Sequence, residues 1–408
     1  MKKIAIIGGG ASGYFTAANL GKELGSQTVL FEQSSLPLQK VRVSGGGRCN
    51  LTHACFDPKE LAEFYPRGQK ELLSVFHQFQ PGDTMEWFES RKVPLKIEED
   101  NRVFPISDNS MSIIECLVQE VEKNGVETRF GEAVQKISKR ENLFLVDTKS
   151  TQYEFEKIIF TPGSSLKSME LLRNLGHQII KPVPSLFTFN IRDERLKDLM
   201  GISFEWAEIA IPQLKMVAEG PLLITHWGLS GPGILRLSAW GAIELNKLNY
   251  EFEIKVNFIQ KDLEEAVAFL NRFKMGNPKK SVYKANPFPF PKRFWQRILE
   301  ISKIPLEQNF SNLNKKQIHT LVQELVSGVY EVNGKSTFKD EFVTAGGVDL
   351  KEINFKTMES KIIPNLFLAG EVLNIDAITG GFNFQACWSE GFLISEYLKS
   401  MNSEMKPS

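Results

Sequence analysis

The sequence predicts an α/β fold in which a parallel sheet flanked by helices is split along the chain by a β-rich insertion carrying a small helical subdomain. Three observations carry this reading. Lys3-Ile4-Ala5-Ile6-Ile7 is a short, apolar, β-branched run of the kind buried on both faces of a parallel sheet, and helical spacing begins directly after Gly8-Gly9-Gly10-Ala11-Ser12-Gly13. A second buried strand, Asn365 to Ala369, ends at Gly370-Glu371 and is followed by Gly380-Gly381 and a helical stretch from about Asn383 to Lys399. Between these two halves, Leu186 to Ile191, Glu208 to Ile211 and Tyr250 to Asn257 are β-rich, and residues 258 to 326 read mainly as helices.

Composition bounds the function. The 408 residues carry 49 Lys+Arg against 49 Asp+Glu, so no global field attracts nucleic acid or an acidic membrane surface, and a nucleic-acid partner is disfavoured. No stretch approaches the ~20 apolar residues of a membrane span, and the apolar run after Lys2-Lys3 stops at Gly8, too short for a signal peptide. Cys49, Cys55, Cys116 and Cys387 are too scattered for a disulfide framework or a metal site, which fits a reduced, cytoplasmic compartment and no metal.

The first strand and helix enclose G-x-G-x-x-G through Gly8, Gly10 and Gly13. The first glycine permits the tight turn, the second lets a pyrophosphate approach the backbone, and the third lets helix pack on strand. The N–H groups of Gly10, Ala11 and Ser12 at the helix start would then face the phosphates. The following helix runs to about Leu24, and the next strand, Thr28 to Phe31, ends at Glu32-Gln33. Glu32 stands where a carboxylate accepts from ribose hydroxyls and would repel a 2′-phosphate. The fingerprint alone does not separate FAD from NAD. A second loop, Ser44-Gly45-Gly46-Gly47-Arg48-Cys49-Asn50, exposes further N–H groups between Arg42 and Arg48, cations suited to a diphosphate, and favours the larger cofactor.

That loop resembles the family of FAD-dependent oxidoreductases that includes bile-acid-reductase-like (BaiN-like) and aminoacetone-oxidase-like flavoproteins. The resemblance continues through Thr225-His226-Trp227-Gly228-Leu229-Ser230-Gly231, Thr344-Ala345-Gly346-Gly347-Val348, Thr357 to Lys361, Gly370-Glu371-Val372-Leu373 and Gly380-Gly381-Phe382-Asn383-Phe384-Gln385. It implies a Rossmann-like FAD-binding domain assembled from both chain ends. It also implies that Glu371 binds the ribityl-pyrophosphate portion and that the backbone of Gly381, Phe382 and Asn383 faces the isoalloxazine ring. Asn374 and Ala377 depart from the Asp and Gly common in that loop, and Thr161-Pro162-Gly163 replaces a glycine-rich turn, so that Thr161 and Gly163 approach the adenylate half with one N–H fewer.

The remaining elements follow in order. Helices are expected over 69 to 90 and 110 to 123, with Gly125 beyond the second, then a parallel strand from Val126 to Phe130 and an adenine-lining Val134. Strands at 142 to 148 and 152 to 161 are expected to return to the parallel sheet. The resulting partition is 1–190 and 342–408 for the FAD-binding domain, 191–257 with 327–341 for the β-rich insertion, and 258–326 for the helical subdomain. Residues 272 to 297 hold eight Lys/Arg and no Asp/Glu, a contact for a phosphate-bearing partner or a solvated loop.

The expected chemistry is hydride transfer through flavin N5, most simply an NAD(P)H-linked reduction of a small unsaturated substrate. An oxygen-using amine oxidase, a flavin-binding RNA-modifying enzyme and a non-catalytic redox sensor are the alternatives. No second complete G-x-G-x-x-G marks an NAD(P)H domain, so a nicotinamide would bind transiently. No catalytic acid or base is fixed; His226, Cys49 and Asp376 are the candidates, with Trp227 beside the first. Oligomeric state is not legible.

Overall fold

The computed structural model describes residues 2–336 and 343–404. They fall into two compact units: 2–185 with 343–404, and 186–336. The expected junction between 341 and 342 lies outside the described residues. The other junction falls after Ser185 rather than after residue 190, because Thr188–Asn190 is already a strand of the second unit's sheet, paired with Gly228–Ser230.

In the first unit a parallel sheet sets the frame. Its strands are β1 (Ile4–Ile7), followed by helix α1 (Ala11–Asn19), then β2 (Thr28–Glu32), β3 (Glu127–Phe130), β4 (Lys157–Phe160) and β5 (Leu366–Leu368). Their order across the sheet is β5-β4-β1-β2-β3, with Ile4 opposite both Thr28 and Lys157. Two short strands, Glu359–Ser360 and Ile353–Asn354, extend it beyond β5 in antiparallel sense. β1 is buried throughout, which is why its residues show no polar alternation. The chain returns by helix α2 (Phe382–Glu404), which packs on α1 across Gly391: a Cβ there would lie 3.0 Å from the Ser12 carbonyl and the Thr16 hydroxyl.

Two expectations change. Residues 143–147 and 152–155 do not join the parallel sheet; with 136–140 they form a separate antiparallel sheet, and only Lys157–Phe160 turns back into the parallel one. The helix expected from Ala11 to Leu24 ends at Asn19 and resumes at Gly21–Gly25, while that over 69 to 90 breaks before Pro81, whose ring cannot continue a preceding turn.

The second unit holds an antiparallel sheet containing Gly328–Asn333, Glu251–Asn257, Ser203–Ile211, Met216–Ile224, Gly228–Ser230 and Thr188–Asn190 in that order. Strict alternation of burial along Glu251–Asn257 shows one face packed and one open. Helices Leu263–Gly276, Lys292–Ile301 and Lys315–Ser327 share this unit's core: Phe294, Trp295, Leu321 and Leu325 pack in one apolar cluster with sheet residues such as Ile209 and Ile254. Among the described residues no helix is long and apolar enough to cross a membrane.

Candidate cofactor site

The turn from β1 into α1 is pinned by backbone packing. Gly8 donates its N–H to Phe31 O (2.9 Å) and adopts φ +111°, and a Cβ on it would lie 2.3 Å from Thr161 O. A Cβ on Gly13 would lie 2.1 Å from Gly8 O and 2.7 Å from Thr161 Oγ1, which itself donates to Gly8 O (3.0 Å). These two glycines are therefore spent on joining strand, helix and the end of β4. Gly10 differs: a Cβ there meets nothing within 4 Å, so this turn opens a space lined by the first N–H groups of α1 at Ala11 and Ser12. The Ser12 hydroxyl itself faces inward, toward Gly370.

Glu32 is fixed beside this opening. Its Oε2 accepts from Gly9 N (2.8 Å) and its Oε1 from Ser34 N (2.8 Å) and Ser34 Oγ (2.5 Å). A carboxylate so held keeps lone pairs for a hydroxyl donor. Gln33 is exposed next to it, and Val134 is half-buried against the same core.

The second glycine loop ends a helical stretch, Gln39–Gly47, that kinks at Ser44 (ψ 148°) and runs through left-handed Gly45, Gly46 and Gly47. Gly45 is close-packed: a Cβ would come within 3.0 Å of Asn50 N and the Phe104 ring, whereas Gly46 and Gly47 face open space. The two arginines part company. Arg48 lies over the Phe104 ring (4.0 Å) and pairs with Glu98 (2.7 Å) and Asp108 (3.5 Å). Arg42 donates to Met111 Sδ (3.0 Å), and its Nε is buried without a hydrogen-bond partner among the described residues, a donor with capacity for an anion. Lys40 bridges the loops by pairing with Glu371, and Gly163 (φ +70°) sits 3.6 Å from the same carboxylate, measured from the Cβ position.

The C-terminal turn closes against this loop region. Gly381 (φ +90°) has no room for a side chain, since a Cβ would lie 2.5 Å from Thr52 O. Phe382 is buried, stacked on Phe64 (4.3 Å) with the His53 ring tilted against it (4.5 Å), and its carbonyl accepts from Tyr65 Oη (2.6 Å). Asn383 clamps the preceding loop from both sides, accepting from Ala377 N (3.0 Å) and donating to Ala377 O (3.1 Å). The departure at Asn374 is used as well, since its Oδ1 accepts from Gly346 N (3.0 Å).

The three candidate catalytic side chains stand in different surroundings. Cys49 is fully buried, and burial pushes its thiol up to about 12, which disfavours the thiolate. Asp376 is equally buried; burial raises its carboxyl even though Arg67 forms a bidentate pair with it and Ser185 Oγ donates to it (2.8 Å). It is a structural anchor with both oxygens engaged. His226 belongs to the other unit, on an exposed turn beside exposed Trp227.

Two ionisable groups not singled out in the sequence stand here instead. His53 is half-buried, and burial holds its imidazole below the ordinary histidine range. Its Nδ1 contacts Gly380 O (3.2 Å), which makes Nδ1 the donor of the neutral ring and leaves Nε2 as acceptor. Glu390 lies wholly buried inside α2, where burial raises its carboxyl to about 8; Oε2 accepts from Gly370 N (2.5 Å), and Oε1 has no partner. An acid flanked by Ser389 and Gly391 in the apolar first half of this helix was the available signal. Among the described residues no cluster of His, Cys, Asp and Glu suits a metal.

Residues 2–397 match the HI0933-like protein Rossmann domain. The chain belongs to the HI0933-like family. This is the flavoprotein group its glycine motifs resemble, and the chain is a flavin-dependent oxidoreductase. It is 28% identical over 412 residues to a ribosomal RNA dihydrouridine synthase of Escherichia coli, covering 98% of both chains. It is 28% identical over 408 residues to a 3-dehydro-bile acid delta(4,6)-reductase of Clostridium scindens, covering 96% of this chain and 98% of that one. A flavocytochrome c3 fumarate reductase structure superposes with TM-score 0.50 at 14% identity over 97% of this chain and 77% of its own, a likeness of fold. The HI0933-like chain fits FAD by its own geometry: Gly10, Gly46 and Gly47 leave space where any side chain would intrude, and Arg42 offers an unpaired buried donor.

Proposed function

We propose that this chain uses FAD to reduce a carbon–carbon double bond conjugated to a carbonyl, with a transiently bound nicotinamide as the electron source. The observation that carries the reading is the half-buried, neutral His53 at the Gly380–Phe382 turn, in a unit whose glycine loops leave room for FAD. The names of two relatives describe the same bond chemistry: uridine to dihydrouridine saturates a C=C conjugated to a carbonyl, and a 3-dehydro-delta(4,6) bile acid is a dienone.

FAD, when bound, supplies the hydride acceptor and donor. The chain does the rest. The N–H groups at Gly10 to Gly13 and the Arg42 guanidinium would hold the pyrophosphate and Glu32 would accept from the ribose, while Lys40 pairs with Glu371 to join the two loops. The N–H groups at the start of α2 would stabilise negative charge that develops on a bound flavin. Saturating such a double bond takes a hydride at the β-carbon and a proton at the α-carbon, and His53, protonated at Nε2, would supply that proton. The nicotinamide loses one hydride and the substrate gains one hydride and one proton.

Anaerobic stopped-flow tests this. The bound flavin should bleach with NADH or NADPH and recover on adding a cyclic enone. His53→Asn should slow recovery ~10²-fold, the usual worth of a general acid, and leave bleaching unchanged. Flavin bleached by an amine and reoxidised by oxygen alone would overturn the reading in favour of an oxidase.

A further inference from the structure

We propose that the basic face built from residues 272–316 is a docking surface for the phosphate backbone of single-stranded RNA. The choice of RNA over other nucleic acids rests on the double-bond reduction above, because uracil in RNA presents such a bond; the surface itself rests on charge and framework.

Residues 272–316 contain 11 Lys+Arg and 2 Asp+Glu, so the neutral chain keeps nine excess acids elsewhere and concentrates its positive charge here. The two acids add little, since Glu300 already pairs with Arg297 (3.5 Å). Some cations are structural: Lys274 donates to Leu313 O (2.6 Å), and Arg297 to Lys197 O (3.0 Å). Arg272, Lys279, Lys280, Lys284 and Lys292 are exposed, and among the described residues none has a carboxylate within ion-pair distance. Elsewhere Lys123, Lys247 and Lys399 on helices and Lys197 on a turn each pair with a glutamate three residues before. A patch of like charges repels itself unless an anion covers it.

The cations are mounted on an ordered frame. Phe310 N donates to Lys280 O (3.0 Å) and Ser311 N to Pro278 O (2.9 Å), laying the Lys279–Lys280 turn beside the segment that leads to Lys315 and Lys316. Trp295 Nε1 donates to Val282 O (3.1 Å), and Gln317 Nε2 to Lys303 O (3.3 Å), tying in the helix that starts at Lys292 and the turn after it. Val282, Phe294, Trp295 and Phe310 are buried beneath. Lysine heads on a rigid base lose less entropy on binding than those of a mobile tail. Half-buried Tyr283 and Phe290 lie between them, rings of the kind on which unpaired bases stack. A membrane would need an inserting apolar edge, and Met275 is the one large apolar side chain of this stretch that is strongly exposed among the described residues.

Fluorescence anisotropy of FAD-loaded full-length protein with a labelled 20-nucleotide single-stranded RNA tests the surface. Log affinity should fall linearly with log salt, and Lys279→Glu/Lys280→Glu/Lys284→Glu should weaken binding at least tenfold at 50 mM KCl and flatten the slope by about two. FAD content and Tm of this variant should match the unmutated protein. Lys22→Glu/Lys70→Glu/Lys399→Glu, an equal charge change elsewhere, should bind normally. No binding at 25 mM KCl, equal loss in the second variant, or tighter binding to phosphatidylserine vesicles or polyglutamate than to the RNA would overturn the proposal. Enone-dependent flavin recovery is read separately on the unmutated protein. RNA binding without recovery sinks the reductase reading and keeps the surface; recovery without RNA binding does the reverse.

Discussion

At Gly10 and Gly13 one added methyl group has opposite consequences. Gly13→Ala would force a Cβ to 2.1 Å from the backbone oxygen of Gly8 in the β1–α1 turn, which has no side-chain freedom to yield, whereas Gly10→Ala enters open space. We expect Gly13→Ala to lower the Tm of the apoprotein by several degrees, consistent with an overpacking cost of ~1–3 kcal/mol. Gly10→Ala should leave that Tm within a degree and weaken FAD binding at least tenfold, because its methyl group occupies the approach of the pyrophosphate. Apoprotein melts and FAD titration read the two effects apart. The fingerprint was readable because strand, glycines and helix are contiguous in sequence. The division of labour among its glycines was not, since it depends on Thr161, which arrives 148 positions after Gly13. Arg48 shows the same limit: its cation is plain in the sequence, but Glu98 and Asp108, which engage it, come from distant turns.

Among the elements, the two halves of the first unit are locked by ion pairs and hydrogen bonds that no local pattern announces. The helix-preceding turn at Arg67 bridges by backbone to Asp376, and their side chains form a bidentate pair in a place where the carboxylate has no exposure. Tyr65, Thr52 and Thr84 add hydrogen bonds to Phe382 and Gln385 from the N-terminal half. Arg67→Ala would leave Asp376 buried beside Ser185 alone, and such unpaired burial costs ~3–5 kcal/mol. Urea unfolding should show that loss, and Arg67→Ala/Asp376→Asn should recover part of it, because the neutral amide removes the stranded charge. An intact midpoint in Arg67→Ala would show that the pair is dispensable. Helix periodicity placed α2 well, yet the same apolar periodicity hid Glu390 among core positions.

For the whole molecule, equal numbers of acids and bases mean that its stability near neutral pH is governed by particular buried groups and not by net charge. Three such groups act with different signs. His53, held below the ordinary imidazole range, binds its proton less readily when folded, so it costs stability as pH falls below about 6.5 and is neutral to the balance above. Glu390, raised to about 8 from 4.5, and Asp376, raised from 3.8, hold protons that the unfolded chain has released; their contribution is complete below the ordinary carboxylate range and is lost as pH rises through the folded value. The buried thiols of Cys49, Cys116 and Cys387 are pushed upward as well, and they enter the balance only near 9 and above. Between pH 6.5 and about 8 the loss from Glu390 should therefore stand out, at up to ~1.4 kcal/mol per pH unit. Glu390→Gln keeps an oxygen for the Gly370 N–H without an ionisable group. Its free energy of unfolding should change less over that window than that of the unmutated protein, and it should be the more stable of the two by pH 8.5. Parallel profiles for the two proteins would mean that Glu390 is already ionised in the fold, and that its unpartnered oxygen is met by something other than its own proton.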